Sequence, residues 1–219
     1  MVTAAVLPIK TYARAKQRLS EAVGVPDRRA LAEAMVGDVL DVLPSVPGVD
    51  RVIVVTAEPL AAAAAREAGA DLVHDPHEAG QSAAALLGVR AAIDAGAERV
   101  LLVPGDCPAL DPDELSGLLG RPGRAGVVIV PDRHGAGTNA LLLSPPDVIE
   151  PSFGPGSFAR HAARAHAAGT KVRVAEVRSL GLDVDTPEDL RALHDALALR
   201  PGAAPRTREL LARMLPAAA

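Results

Sequence analysis

The sequence predicts an α/β protein: one three-layer α/β/α domain, Rossmann-like, in which a mostly parallel, mixed central sheet carries helices on both faces. Three observations lead there. Short apolar runs such as Val52-Ile53-Val54-Val55 and Val100-Leu101-Leu102-Val103 alternate with helix-length stretches, which implies right-handed βαβ crossovers. Those runs are apolar at consecutive positions, as in strands covered on both faces. The chain's 219 residues, 49% of them hydrophobic, can bury one substantial core without being split.

The elements follow in order. Thr3 to Pro8 reads as the first strand and opens into a basic loop holding Lys10, Arg14, Lys16 and Arg18. A loop after the first strand of an α/β sheet is a usual place for a nucleotide's phosphates, although a merely solvated basic loop reads the same way. It contains neither GxxxxGK[ST] nor GxGxxG. Pro26-Asp27 starts a helix to about Leu43, with Leu31, Met35, Val39 and Leu40 forming one stripe. Arg51 to Thr56 is the clearest strand, Pro59 to Ala68 a helix closed by Gly69, and Ala70 to Val73 a short strand. His74, Asp75 and His77 follow without a further ligand at metal spacing. The helix from Gly80-Gln81-Ser82 to about Ala95 points its N-terminus toward the strand ends, where Gly80 and Ser82 could receive an anion or a nucleobase edge.

Val100 to Val103 is a buried strand that stops at Pro104-Gly105-Asp106-Cys107-Pro108. Ligands of open α/β sheets bind outside the carboxyl ends of the strands, so Asp106 is a candidate active-site acid, with an Asx-type cap as the alternative. Asp111-Pro112-Asp113-Glu114 is a helix start with Pro at N1 and a capping-box acid at N3. Gly126 to Pro131 is another strand, and there the alternation breaks. Asp132 to Asn139 is glycine-rich, Ala140 to Leu143 a short strand, and Phe153-Gly154-Pro155-Gly156-Ser157 a second glycine-rich turn feeding the helix Phe158 to Ala168. Backbone N–H groups there and the Ser157 hydroxyl could dock an acid or phosphate, with His161 one helical turn further on the same face. Lys171 to Val177 is a strand with one exposed face. It leads to Asp183-Val184-Asp185-Thr186-Pro187, in which Asp183 and Asp185 present two carboxylates side by side. A Mg²⁺ ion between them would relieve their repulsion; alternatively Asp185 or Thr186 caps the helix that Pro187 starts. Residues 1–199 make the domain, and residues 200–219 are expected as a peripheral helix or flexible tail.

The formal net charge of -4, the 1% aromatic content and the absence of Trp argue against nucleic-acid binding and against aromatic membrane belts. A single cysteine, Cys107, forms no intrachain disulfide. No basic leader and no apolar run near ~18 residues is present, so the expected location is the cytoplasm.

Three carboxylates, a basic first loop and two glycine-rich anion sites fit Mg²⁺-assisted nucleotidyl transfer. In that reaction an acceptor phosphate, largely dianionic at neutral pH with a second pKa of about 6, needs no general base. These segments together resemble the guanylyltransferase family of coenzyme F-420 biosynthesis, within the glycosyltransferase-A-like, or nucleotide-diphospho-sugar transferase-like, superfamily. They are Lys10 with Ala15-Lys16-Gln17-Arg18-Leu19, Pro104 to Pro108, Asp132-Arg133 through Gly137-Thr138-Asn139, Phe153 to Phe158 with His161, and Asp183 to Pro187.

The resemblance implies transfer of GMP from GTP to a phosphorylated three-carbon acid, phosphoenolpyruvate or 2-phospho-L-lactate, with a downstream transferase taking the product. By the same resemblance Asp106, Asp183 and Asp185 hold Mg²⁺ and act in catalysis with Lys16. Thr138, Asn139, Gly154, Gly156 and Ser157 take the acid, and Lys10, Lys16 and Arg18 meet the GTP phosphates. The match is least at Gly80-Gln81-Ser82, where the family has Asn in place of Ser82. A homodimer is compatible with the sequence. Rival readings are a nucleotidyltransferase for molybdopterin or a sugar phosphate, whose first loop would be glycine-rich; a haloacid-dehalogenase-type phosphatase, which needs Asp-x-Asp where Lys10 stands; and a non-enzymatic binding module.

Overall fold

The computed structural model describes residues 1–20, 23–120 and 126–214; the side chains of Arg14 and Arg18 lie outside that description. Seven strands form one sheet: β1 (Thr3–Ile9), β2 (Arg51–Thr56), β3 (Asp71–His74), β4 (Arg99–Leu102), β5 (Gly126–Pro131), β6 (Thr138–Ser144) and β7 (Lys171–Val174). Their order is β3-β2-β1-β4-β6-β5-β7. Only β6 runs against its neighbours, pairing Leu141 with Leu102 of β4 and Thr138 with Pro131 of β5. This reversal has a positional consequence. The parallel strands deliver their carboxyl ends to one rim, and β6 delivers its amino end there, so Thr138 and Asn139 stand beside the exits of β1, β4 and β5.

Side chains alternate between two cores, as the period of a strand requires. Ala5, Leu7, Val54, Leu101, Ala140 and Leu142 face α1 (Val25–Val42), α2 (Pro59–Glu67) and α4 (Pro112–Gly120). Ala4, Val6, Ile53, Val55, Val100, Leu102 and Leu141 face α3 (Gln81–Asp94) and α5 (Ser157–Ala167). The α3 helix comes close because Gly88 has no side chain: a Cβ there would collide with Val6 Cγ1 and lie 2.9 Å from Val55 Cγ2.

A third cluster lies outside α1. There Leu31 and Met35 meet Leu190, Leu193 and Leu197 of α6 (Pro187–Ala198) and Leu210 and Leu211 of α7 (Pro205–Met214). Asp38, on α1, accepts hydrogen bonds from the N–H groups of Arg206 and Thr207 at 3.1 and 2.8 Å, which ties the first turn of α7 to it. Residues 205–214 are thus a helix seated on the core, while 215–219 lie outside the described residues. No helix among the described residues is long and apolar enough to cross a membrane.

Two local expectations change. The strand expected over Lys171 to Val177 leaves the ladder after Val174, with one last bond from the N–H of Ala175 to the Ile129 carbonyl. The capping box expected at Asp111 is only half made. Asp111 Oδ1 accepts from the N–H groups of Asp113 and Glu114, but the Glu114 carboxylate accepts from the N–H of Ser179, across the fold.

Candidate active site

The rim of the sheet opens into a cleft of about 600 Å³. Its floor is the exit of β4, where Pro104 and Gly105 end the ladder and turn Asp106 into the space. Val36 limits this turn, standing 3.1 Å from where a Gly105 Cβ would be. Asp106 meets the segment of the paired carboxylates directly, for its carbonyl accepts the Val184 N–H at 3.3 Å.

Lys16 joins the two carboxylate segments through side chains. Its ammonium lies 2.6 Å from Asp106 Oδ2 and 3.4 Å from Asp185 Oδ1, on a side chain that is 5% exposed. Burial works to lower its pKa, but the Asp106 and Asp185 charges outweigh that and the net direction is up, so the ammonium stays charged. Lys16 also has φ 55° and ψ 36°, the left-handed region, between two 3-10 turns, Tyr12–Arg14 and Gln17–Leu19. Such a conformation costs on the order of 1 kcal/mol in a residue other than glycine and persists where its surroundings hold it.

The loop is held from outside by acids that sequence reasoning passed over. Buried Glu58 accepts the Tyr12 N–H at 2.9 Å, and Glu78 accepts the Thr11 N–H at 2.9 Å and also its hydroxyl. Glu58 had a signal, an acid immediately before Pro59 at a helix start; its side chain is the N-cap of α2 and accepts the Leu60 N–H.

The competition over Asp185 is resolved by its neighbours. Thr186 is the N-cap of α6, and Asp189 completes the capping box, accepting from the N–H groups of Thr186 and Asp185 at 2.7 and 3.0 Å. The N-cap of α6 is therefore Thr186, and the Asp185 carboxylate turns toward Lys16. Asp189 is itself anchored by Arg133 Nη2 at 2.6 Å, which connects this segment to the glycine-rich loop. Asp183 is oriented by Asn139, whose Nδ2 donates to Asp183 Oδ1 at 3.0 Å and to the Leu180 carbonyl at 2.6 Å. Burial pushes the Asp183 carboxyl above the ordinary range; the Asn139 bond opposes this, and the Asp106 and Asp185 charges add to it.

This excess of negative charge on hard oxygen donors suits a divalent cation such as Mg²⁺. As the side chains stand, the Lys16 ammonium lies between Asp106 and Asp185, and among the described residues no three acidic, His or Cys groups are drawn together as a metal site.

The opposite wall comes from the two glycine-rich segments. Asp132 accepts the N–H groups of His134, Ala136 and Gly137 and shapes the first, and the Phe158 N–H to the Ala136 carbonyl joins it to the second. Gly154 and Gly156 have φ of 103° and 70°, conformations for which glycine is suited. Arg160, one turn into α5, donates to the carbonyls of Ser152, Phe153, Gly154 and Pro155. With the carbonyls gathered on Arg160, the turn leads Gly156 and Ser157 into the cleft at the N-terminus of α5, where they line it with Thr138.

Of the sequence candidates, Lys10, Lys16, Gly80, Asp106, Thr138, Asn139, Gly154, Gly156, Ser157, Asp183 and Asp185 all line this one cleft. Ser82 does not. Its Oγ accepts the Phe153 N–H at 2.9 Å and so links α3 to the second glycine-rich turn. Arg18 lies in the 3-10 turn Gln17–Leu19, and its side chain falls outside the described residues. Asn139 reaches the cleft, yet its amide hydrogens go to Asp183 and Leu180, a role of support that its place in the glycine-rich run did not suggest.

A family model described as guanylyl transferase CofC like matches residues 3–211. A phosphoenolpyruvate guanylyltransferase of Conexibacter woesei is 52% identical over 217 residues, covering 98% of this chain and 97% of its own. One from Sphaerobacter thermophilus is 39% identical over 193 residues, covering 88% and 93%. Among solved structures, a nucleotidyl transferase from Methanothermobacter thermautotrophicus shares the fold, with a TM-score of 0.64 and 21% identity over 90% of this chain and 98% of that one.

Proposed function

The chain belongs to the family of CofC-like guanylyl transferases, and on that premise we propose that it transfers GMP from GTP to phosphoenolpyruvate and releases pyrophosphate. One observation carries the reading of the site: Lys16 bridges Asp106 and Asp185, from two distant segments, in a cleft whose far wall is a glycine-rich turn.

In the proposed reaction an oxygen of the acceptor's phosphate forms a bond to the α-phosphorus of GTP while the bond to the β-phosphate bridge breaks. The acceptor is largely dianionic, so no base is required. Its residues instead position and neutralise. Thr138, Ser157 and the turn at Gly154 and Gly156 receive the acid, Lys10 and Lys16 face the triphosphate, and Gly80 at the start of α3 lies by the base. Asp106, Asp183 and Asp185 are the residues that would hold Mg²⁺, which supplies charge neutralisation at the phosphates. The Lys16 ammonium, relieved by an ion held there of its place as counter-charge to Asp106 and Asp185, would then serve phosphate oxygen. The product, a diphosphate diester, passes to the downstream transferase of coenzyme F-420 assembly in the cytoplasm.

The test is pyrophosphate release measured with GTP against ATP, CTP and UTP. Each nucleotide is paired with phosphoenolpyruvate, 2-phospho-L-lactate or 3-phosphoglycerate, with the downstream transferase present to remove product. Release is expected with GTP and phosphoenolpyruvate and to require Mg²⁺. Silence across all combinations rejects the assignment.

A further inference from the structure

His161, on α5, lies wholly buried behind the acid-facing wall, 0% exposed. Its ring has two polar contacts. The backbone N–H of Ser152 points at Nε2 at 2.8 Å, and Thr138 Oγ1 lies 3.0 Å from Nδ1. A backbone amide can only donate, so Nε2 must carry a lone pair, and in a neutral imidazole the proton then sits on Nδ1. Nδ1–H donates to Thr138 Oγ1. The Thr138 hydroxyl, whose oxygen is engaged as an acceptor from behind, keeps its own proton for the cleft, which Thr138 lines. The Phe153 ring meets the imidazole edge-on, centroids 5.3 Å apart, and helps to fix it.

We propose that His161 is a positioning residue for the acid substrate: by donating to Thr138 Oγ1 it keeps the Thr138 hydroxyl from spending its proton on the ring and leaves that proton for an anionic oxygen of the bound phospho-acid. This rests on the reading of the cleft as a phospho-acid site. Left without that donor, the Thr138 hydroxyl could turn its proton away from the cleft, and a lone pair would then face the anion. Burial lowers the His161 pKa to about 4, with Arg160 and Arg164 adding to the shift, so the arrangement persists through neutral pH.

Two substitutions separate positioning from filling. His161→Asn places an amide donor near the Nδ1 position and gives up the acceptor for Ser152, whereas His161→Gln places an acceptor near Nε2 and gives up the donor to Thr138. Steady-state kinetics is run on wild type, both variants, Thr138→Val and the His161→Gln/Thr138→Val double variant. His161→Gln is expected to raise KM for phosphoenolpyruvate by about three- to tenfold, since the Thr138 hydroxyl stays but its hydrogen bond to the charged ligand is weakened, with kcat and KM for GTP within about twofold. His161→Asn should lie nearer wild type, and the double variant should be no worse than Thr138→Val alone. The reverse ranking, or full additivity, overturns the proposal. If neither variant folds, the tautomer is read on the wild-type protein by ¹⁵N imidazole NMR; a proton on Nε2 overturns it equally. Wild-type turnover is the control, since its absence would count against the function and not against His161.

Discussion

Lys16 is the ammonium that faces the carboxylates of the site, and three predictions belong to the residue scale. Replacing it with Met removes the cation proposed to face the triphosphate and should lower turnover by about a hundredfold or more. The same change removes the ammonium from beside Asp106 and Asp185, so Mn²⁺ binding without nucleotide, followed by calorimetry, should tighten by about tenfold. Unchanged Mn²⁺ affinity would mean that the three carboxylates do not share an ion. His161 sets a pH prediction. Its folded pKa of about 4 lies below the unfolded value near 6.5, so between those values the unfolded chain binds a proton that the native state refuses. Stability is whole above about pH 6.5 and falls as pH drops toward 4, by up to about 3 kcal/mol. Urea unfolding at pH 7 and pH 4.5 reads this, and His161→Gln should reduce the difference. At this scale the sequence was legible as to place: Asp106, Lys16 and Ser157, each beside a strand end or a helix start, all line the cleft. It was silent on Arg160, and for Asp132 and Asn139, which it named within a motif, it did not show the N–H groups and the carboxylate that folding brings to them.

Helix α6 shows how an element's local rules bear on the site. Its start carries a capping box, and Asp189 of that box accepts the Asp185 N–H as well as Arg133. Asp189→Ala should therefore cost about 1–2 kcal/mol of stability as a lost cap and should also lower kcat, because Asp185 loses its anchor. A loss of stability with full activity would separate the cap from the site. The capping signal was visible at Asp185-Thr186-Pro187 but did not say which residue caps, since both are good N-caps. Only the fold, by turning Thr186 inward to Asp189, decides it. Helix α3 gives a packing prediction: Gly88→Ala forces a methyl into Val6 and Val55 and should destabilise by about 1–3 kcal/mol, seen as a lower Tm. Gly88 looked like an ordinary glycine inside a helix, because the close approach of helix to strand leaves no trace in helical periodicity.

Across the whole molecule the layer order was legible because apolar runs and helix-length stretches alternate, and the break at Asp132 to Asn139 marked the one strand that reverses. What the chain pattern could not give is strand order, and strand order makes the site: β6 inserted between β4 and β5 brings Thr138 and Asn139 to the rim where Asp106 emerges. The C-terminal segment is also part of this scale. Leu210 and Leu211 are buried beside Leu31 and Met35 of α1, and burying two such side chains contributes about 3–6 kcal/mol. A chain ending at residue 204 should therefore show a markedly lower Tm, whereas an unchanged Tm would make 205–214 dispensable.

The central claim is that the α-phosphorus of GTP becomes bonded to the acceptor's phosphate. ³¹P NMR of GTP, phosphoenolpyruvate, Mg²⁺ and the protein, with inorganic pyrophosphatase to draw the reaction forward, tests it directly. The expected spectrum gains one pair of mutually coupled diphosphate resonances as the signals of GTP and phosphoenolpyruvate decline together. Decline of GTP alone to GMP or GDP, or no change in either substrate, would contradict it.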